Sequence, residues 1–415
     1  MSDEPPLRAP GWWLPRQARL IPLSVVVGLM SGAASAEFLR SLEWATDVQT
    51  RHDILLWVLP VVGAVMVAVQ LRWGGTAPQG NLLTMRQIRR IDGGVPLRMA
   101  PFAYVGTVAT HLFGGSAGRE GTALQMAAGL TDGLASRARL RHGDRQMLLV
   151  AALAAGFGSV FGVPWAGAVF AVEIAPMGRW RRLMAVPSCL VAAYVGDRTV
   201  AWFGVTHTRY PAVHGVGVVD VAVVALVAPL FGLAAWLFIR LTDTVRDNLR
   251  ERVSVPWLRP VLGASAVIVL TLALGTRQYN GLSLPLLGRS LGAGAVQIGT
   301  IGLGVWLAKL VMTSLTVGSG FAGGEVTPLF VVGATLGAAV GHATGGPVVL
   351  LGAVGMMATF GSAVNASLAC AVMGVELFGW GPVIPLLVGC GIARLFSSGR
   401  SLYVHEHVPD EARFV

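Results

Sequence analysis

Gly115-Ser116-Ala117-Gly118-Arg119-Glu120-Gly121-Thr122 returns half a chain later as Gly318-Ser319-Gly320-Phe321-Ala322-Gly323-Gly324-Glu325-Val326-Thr327-Pro328. The two glutamates stand 205 positions apart in a chain of 415 residues. A second pair of segments keeps almost the same spacing. Phe157-Gly158-Ser159 matches Phe360-Gly361-Ser362, and AGAVFAVE ending at Glu173 matches ACAVMGVE ending at Glu376, both displaced by 203. Two ordered matches at nearly one displacement mark an internal duplication.

The sequence around these motifs is apolar. Hydrophobic residues make up 54% of the chain and charged residues only 13%, and the mean hydropathy is +0.66. Soluble domains carry about 25% charged residues. Apolar runs recur at Ile54–Leu71, Val221–Ile239, Val261–Leu274, Ile298–Leu315 and Val348–Val375. A bilayer crossing takes about 20 apolar residues, so several of these are full spans and others partial or tilted ones. The reading is an all-α integral membrane protein of a dozen or more segments.

The net charge is +10, yet nucleic acid is not the partner it implies. The arginines cluster in short loops between apolar runs, as at Arg86 to Arg98, Arg137 to Arg145, Arg179 to Arg182 and Arg240 to Arg259. That is positive-inside patterning. Cys189, Cys370 and Cys390 lie in apolar surroundings without CxxC spacing and read as small core residues. At the N-terminus, Arg16 and Arg19, the apolar run Leu20–Met30 and Ala34-Ser35-Ala36 imitate a signal peptide. The long Trp- and Pro-containing leader argues against cleavage, so this run is expected as the first membrane helix. The expected division is a cytosolic arm over 1–18, one repeat over 19–205 and a second over 206–415.

Duplicated membrane halves commonly pack as inverted repeats around a midplane site built from broken helices. Irregular backbone at that depth must be buried in protein or line a cavity. A Gly-rich turn opening a helix leaves N–H groups free at the positive end of the dipole, and two facing turns make an anion site without a full positive charge. An intramembrane carboxylate is costly and a functional hypothesis by default. Placed at a helix N-terminus, the Glu120 carboxylate can occupy the anion site itself and be released by protonation.

At these residues the chain resembles the CLC chloride channels and exchangers. Gly118 to Thr122, GREGT, is similar to their GREGP gate signature; GSGFAGGEVTP resembles GGxFxP; Ser401-Leu402-Tyr403 resembles the segment carrying their central tyrosine. The resemblance implies the CLC fold, two inverted-topology repeats with broken helices meeting at an anion site, in a homodimer with one pore per subunit. It makes Glu120 the gating glutamate, Tyr403 the tyrosine facing the anion, Phe321 and Ala322 donors of backbone amides, and Gly118 part of the anion-binding turn. Gly80-Asn81-Leu82-Leu83 falls where the family has GSGIP, so Asn81 stands at the central serine. GREGT, Asn81 and the Glu325/Thr327 pair resemble the fluoride/proton branch. The double glutamate of chloride/proton exchangers reads Glu173-Ile174 here, so another carboxylate must relay protons, and Glu325 is the candidate.

The implied function is a fluoride/proton antiporter of the plasma (inner) membrane exporting fluoride; the alternative is a chloride channel or chloride/proton exchanger of the same family. Fluoride, protons and membrane lipid are the partners, with neither cofactor, metal nor nucleic acid, and no enzyme activity. Asn81, Tyr403, Thr327 and backbone N–H groups would replace fluoride's water, although the same donors would hold chloride. Glu173 and Glu376 read as helix-end carboxylates. Lys309, the only lysine, is expected either to snorkel or to pair with a carboxylate. His111 is expected to be a packed, hydrogen-bonded histidine. Against a hydrolase, Ser116 and His111 form the only nucleophile and base pair near a motif, and their spacing is poor for helical contact. His207, His214, His405 and His407 show no metal-ligand spacing.

Overall fold

The structure is a computed structural model that describes residues 13–90, 93–292, 299, 301–397, 399 and 401–403. Residues 1–12 of the expected N-terminal arm, and His405 and His407, lie outside the described residues. Sixteen α-helices are described. The first eight are α1 (Trp13–Arg51), α2 (Leu55–Val69), α3 (Gly80–Arg89), α4 (Met99–Leu112), α5 (Glu120–Arg137), α6 (His142–Phe161), α7 (Pro164–Ile174) and α8 (Arg179–Trp202). The second eight are α9 (Val218–Arg252), α10 (Leu258–Leu274), α11 (Leu284–Leu291), α12 (Val305–Gly318), α13 (Val326–Thr344), α14 (Val348–Val364), α15 (Ser367–Phe378) and α16 (Val383–Phe396).

Every helix of the second set starts 203 to 206 residues after its counterpart in the first. The duplication visible in two motifs therefore extends to the whole order of helices. Three pairs of mates meet across the halves: α2 packs on α10, α5 meets α13, and α7 packs on α15. Within the halves, α1 packs on α8 as α9 packs on α16. The segment 13–18, expected as arm, is already the first turn and a half of α1.

Among the described residues, four helices are long and apolar enough to cross a bilayer by length and composition: Arg16–Arg51, Leu55–Gly74, Val218–Arg252 and Val326–Thr344. Trp57, Val61 and Val65 of α2 and Leu226, Leu230 and Leu233 of α9 are exposed, as lipid-facing surfaces require. The interior uses small residues to bring backbones close. A Cβ at Gly355 of α14 would meet the carbonyl of Gly333 of α13, so those two helices touch through glycine.

One expected element divides. Val348–Val375 is two helices, because Asn365 adopts a left-handed conformation (φ 57°) that ends α14 before Ser367 starts α15. Its counterpart between α6 and α7 breaks at Gly162 (φ 72°), followed by Pro164 at the first turn of α7.

Candidate anion site

The two glycine motifs bond directly to each other. Gly118 N–H donates to the Gly324 carbonyl at 2.6 Å and Gly324 N–H to the Gly118 carbonyl at 2.8 Å, an isolated antiparallel bridge between the halves. Only glycine permits this approach. A Cβ at Gly324 would stand 2.8 Å from Gly121 N, and one at Gly118 would stand 2.9 Å from the Gly324 carbonyl oxygen. Gly118 was expected as part of the anion-binding turn. Its N–H is committed to the bridge instead, so Gly118 sets the spacing of the site.

The bridge brings the N-termini of α5 and α13 together with Glu120 between them. Its carboxylate is fully buried. It accepts the backbone N–H of Thr327 in the first turn of α13 at 3.1 Å and that of Arg119 at 3.0 Å. The Thr327 hydroxyl also donates to it, and the Arg119 guanidinium Nε lies 3.5 Å away. A glutamate of the first half thus sits at the helix N-terminus of the second, where free N–H groups and the helix dipole suit a negative charge. Thr327, expected as a donor to the anion, here donates to Glu120.

Glu325 is the N-cap residue of α13 and makes no side-chain capping bond. The charged groups acting on it are Arg246 and Asp243 of α9 and Glu120; Asp243 and Arg246 themselves pair at 2.9 Å. Asn81 stands in the first turn of α3, directly after Gly80 (φ 57°). Its Nδ2 lies 3.2 Å from where a Cβ of Gly121 would be, and its Oδ1 is buried without a partner. Tyr403 is buried, with its ring edge-on to Phe170 at 6.1 Å and its hydroxyl unpartnered. The ionisable groups around that hydroxyl include Glu325 and Glu120. Asn81, Thr327, Tyr403 and both glutamates therefore form one region.

The two expected amides differ. Phe321 N–H is turned to the Thr316 carbonyl at 3.4 Å, and its ring packs on Gly63 of α2. Ala322 N–H has no partner among the described residues, which leaves it open to an anion. Among the described residues no group of three or more His, Cys, Asp or Glu is placed to hold a metal ion.

Lys309 neither snorkels nor meets a carboxylate. It is fully buried, and Nζ donates to Ser116 Oγ at 2.9 Å and to the carbonyls of Tyr279 and Gly281 at 3.1 and 2.7 Å. The lysine ties the first motif to the second half. Sequence could flag it as a lone lysine in an apolar helix, but its partners lie 28 to 193 positions away. The Ser116–His111 pair does not form: Ser116 bonds Lys309 and Thr313, while His111 bonds the carbonyls of Thr107 and Ala117.

Glu173 and Glu376 cap each other's helices. Glu173, at the end of α7, accepts the N–H groups of Leu368 and Ala369 that open α15. Glu376, at the end of α15, accepts those of Trp165 and Ala166 that open α7. The arrangement shows α7 and α15 antiparallel.

A family model described as "Voltage gated chloride channel" matches residues 62–398. The chain is 40% identical over 401 residues to a "Chloride/fluoride channel protein" of Pseudomonas syringae pv. tomato, covering 94% of this chain and 87% of that protein. The solved structure of a CLC-type fluoride/proton antiporter aligns with a TM-score of 0.87 at 32% identity, covering 93% of this chain and 97% of the other. A slow cyanobacterial Cl-/H+ antiporter aligns at 0.80 with 17% identity, over 93% and 96% of the two chains; it shares the fold.

Proposed function

The chain belongs to the voltage-gated chloride channel family, and on that premise we propose that it is a fluoride/proton antiporter exporting fluoride, with Glu120 as the group that carries both couplings. The observation that carries this reading is the seat of the Glu120 carboxylate on Thr327 N–H, the Thr327 hydroxyl and Arg119 N–H. Those donors are what a dehydrated anion needs. While ionised, Glu120 occupies them. Protonation removes its charge, the side chain leaves, and the anion takes its place; deprotonation reverses the exchange. One proton binding event is thereby tied to one anion site.

Fluoride is the favoured anion because the relatives at 40% and 32% identity carry fluoride in their names; the Asn81 amide and the Thr327 hydroxyl stand at the site as donors. Glu325 is the inner proton relay: no capping bond holds it, and Asp243 and Arg246 continue from it along α9. The arginine-rich helix ends face the cytoplasm in the inner membrane. Two copies associate, each with its own pore; the exposed apolar face of α7, α8, α15 and α16, with Trp165, Tyr194, Leu368, Trp380 and Ile384, supports this.

The test is efflux from proteoliposomes loaded with fluoride or chloride, recording pH together with the anion. Fluoride leaving while protons enter is expected. Chloride moving faster than fluoride would overturn the assignment.

A further inference from the structure

A charged side chain inside a membrane protein is costly unless an opposite charge answers it. Among the described residues, two charged side chains are 0% exposed, Glu120 and Lys309. They have opposite signs and belong to one turn. Lys309 Nζ donates to Ser116 Oγ at 2.9 Å, and Ser116 stands four residues before Glu120.

That turn is gripped at every residue. Asn280 Nδ2 donates to the Gly114 carbonyl at 2.7 Å, and Gly281 N–H to the Gly115 carbonyl at 3.1 Å. Ser116 N–H donates to Thr316 Oγ1 at 3.1 Å, the His111 ring faces the Ala117 carbonyl at 3.1 Å, and Gly118 bridges to Gly324. All of these partners except His111 come from the second half. Lys309 closes the grip, because the same Nζ takes the carbonyls of Tyr279 and Gly281. The segment that holds Gly114 and Gly115 is thereby fixed to Ser116. An ammonium has three N–H groups, and here they meet three oxygens.

Those three oxygens are neutral, so they solvate the ammonium without cancelling its charge. The charges of Lys309 and Arg119 both act on His111, which puts the field of the ammonium at the start of α5, where Glu120 sits. We propose that Lys309 is a positioning residue of the transport cycle: it fixes the gate turn from the second half and is the buried positive charge against which Glu120 and the entering anion alternate. The inference rests on the anion-transport reading of the site. Whichever of the two is seated, the lysine faces a negative charge. Since charge rather than donor geometry carries the effect, it falls on fluoride and chloride alike.

The experiment compares wild type, Lys309→Met, Lys309→Arg and Ser116→Ala in proteoliposomes with fluoride and with chloride, separating KM from kcat, with the melting temperature of each purified protein as folding control. Lys309→Met raises KM for both anions about tenfold, the order expected when a unit charge near a desolvated site is lost, while kcat falls by less. Lys309→Arg keeps the charge and brings KM back toward wild type. Ser116→Ala keeps the charge and two of the three bonds and raises KM for both anions about threefold. A folded Lys309→Met with wild-type KM overturns the proposal, as does a folded Arg variant as impaired as Met. Should Lys309→Met fail to fold, Ser116→Ala decides, and wild-type KM there overturns the proposal. A wild type that carries neither anion overturns the anion-transport reading itself, and this proposal with it, before any variant is compared.

Discussion

Glu120→Gln removes a charge from a seat built entirely of donors. The carboxylate takes Arg119 N–H at 3.0 Å, Thr327 N–H at 3.1 Å and the Thr327 hydroxyl, with Arg119 Nε 3.5 Å away. A carboxamide of the same shape has one accepting oxygen and an NH2 that is itself a donor. At least one bond becomes donor against donor, and the others lose their charge assistance. Bonds to charged groups contribute about 1.5–3 kcal/mol and neutral ones about 1, so three bonds weaken the seat by roughly 3–5 kcal/mol. That is about two to three and a half orders of magnitude in occupancy. The Gln side chain also exchanges no proton. In proteoliposomes loaded with fluoride, wild type takes protons inward as fluoride leaves, and the external medium turns alkaline. Glu120→Gln produces no such rise, with circular dichroism and gel filtration confirming the fold. A folded Glu120→Gln that still drives protons against their gradient would falsify the gating role.

Asn81→Ser gives a folded protein that admits chloride more readily, since a shorter donor loses its reach to a small anion; an unchanged fluoride/chloride ratio of KM values counts against a filter role. Glu325→Gln leaves the melting temperature nearly unchanged, because no capping bond is lost, but uncouples protons from fluoride. Wild-type coupling in a folded Glu325→Gln would remove the relay. Gly324→Ala puts a methyl group 2.8 Å from Gly121 N and 3.2 Å from Glu120 N, so backbone must move and stability falls by about 1–3 kcal/mol or more; full stability by thermal melting would contradict the bridge. Glu376→Ala leaves Trp165 and Ala166 N–H uncapped and lowers stability by about 1–2 kcal/mol, checked the same way.

The duplication was legible because both copies keep a glutamate and a glycine turn at one displacement, and the helices follow that displacement throughout. The gate was legible for the same reason: Glu120 is a charge in an apolar setting. What stayed hidden depends on backbone directions across the pseudo-axis. Nothing in Gly118 announces that its N–H meets Gly324, since a glycine suits an anion turn and a tight bridge equally well. The lysine's acceptors are a hydroxyl and two carbonyls, and every residue has a carbonyl. The break at Asn365 lies in a run where Asn alone hints at a left-handed residue.

The mutual capping of α7 and α15 bears on how this chain is made. Eleven and twelve residues long, these helices span only about 17 Å, well short of a bilayer core near 30 Å. Neither end is satisfied until the other helix arrives with its glutamate, and the two are separated by some 200 residues of chain. During synthesis α7 must therefore wait, its opening N–H groups uncapped, until almost the last helix has left the ribosome. The earlier half has no finished state of its own, and insertion ends in a late joining step in which both short helices seat together.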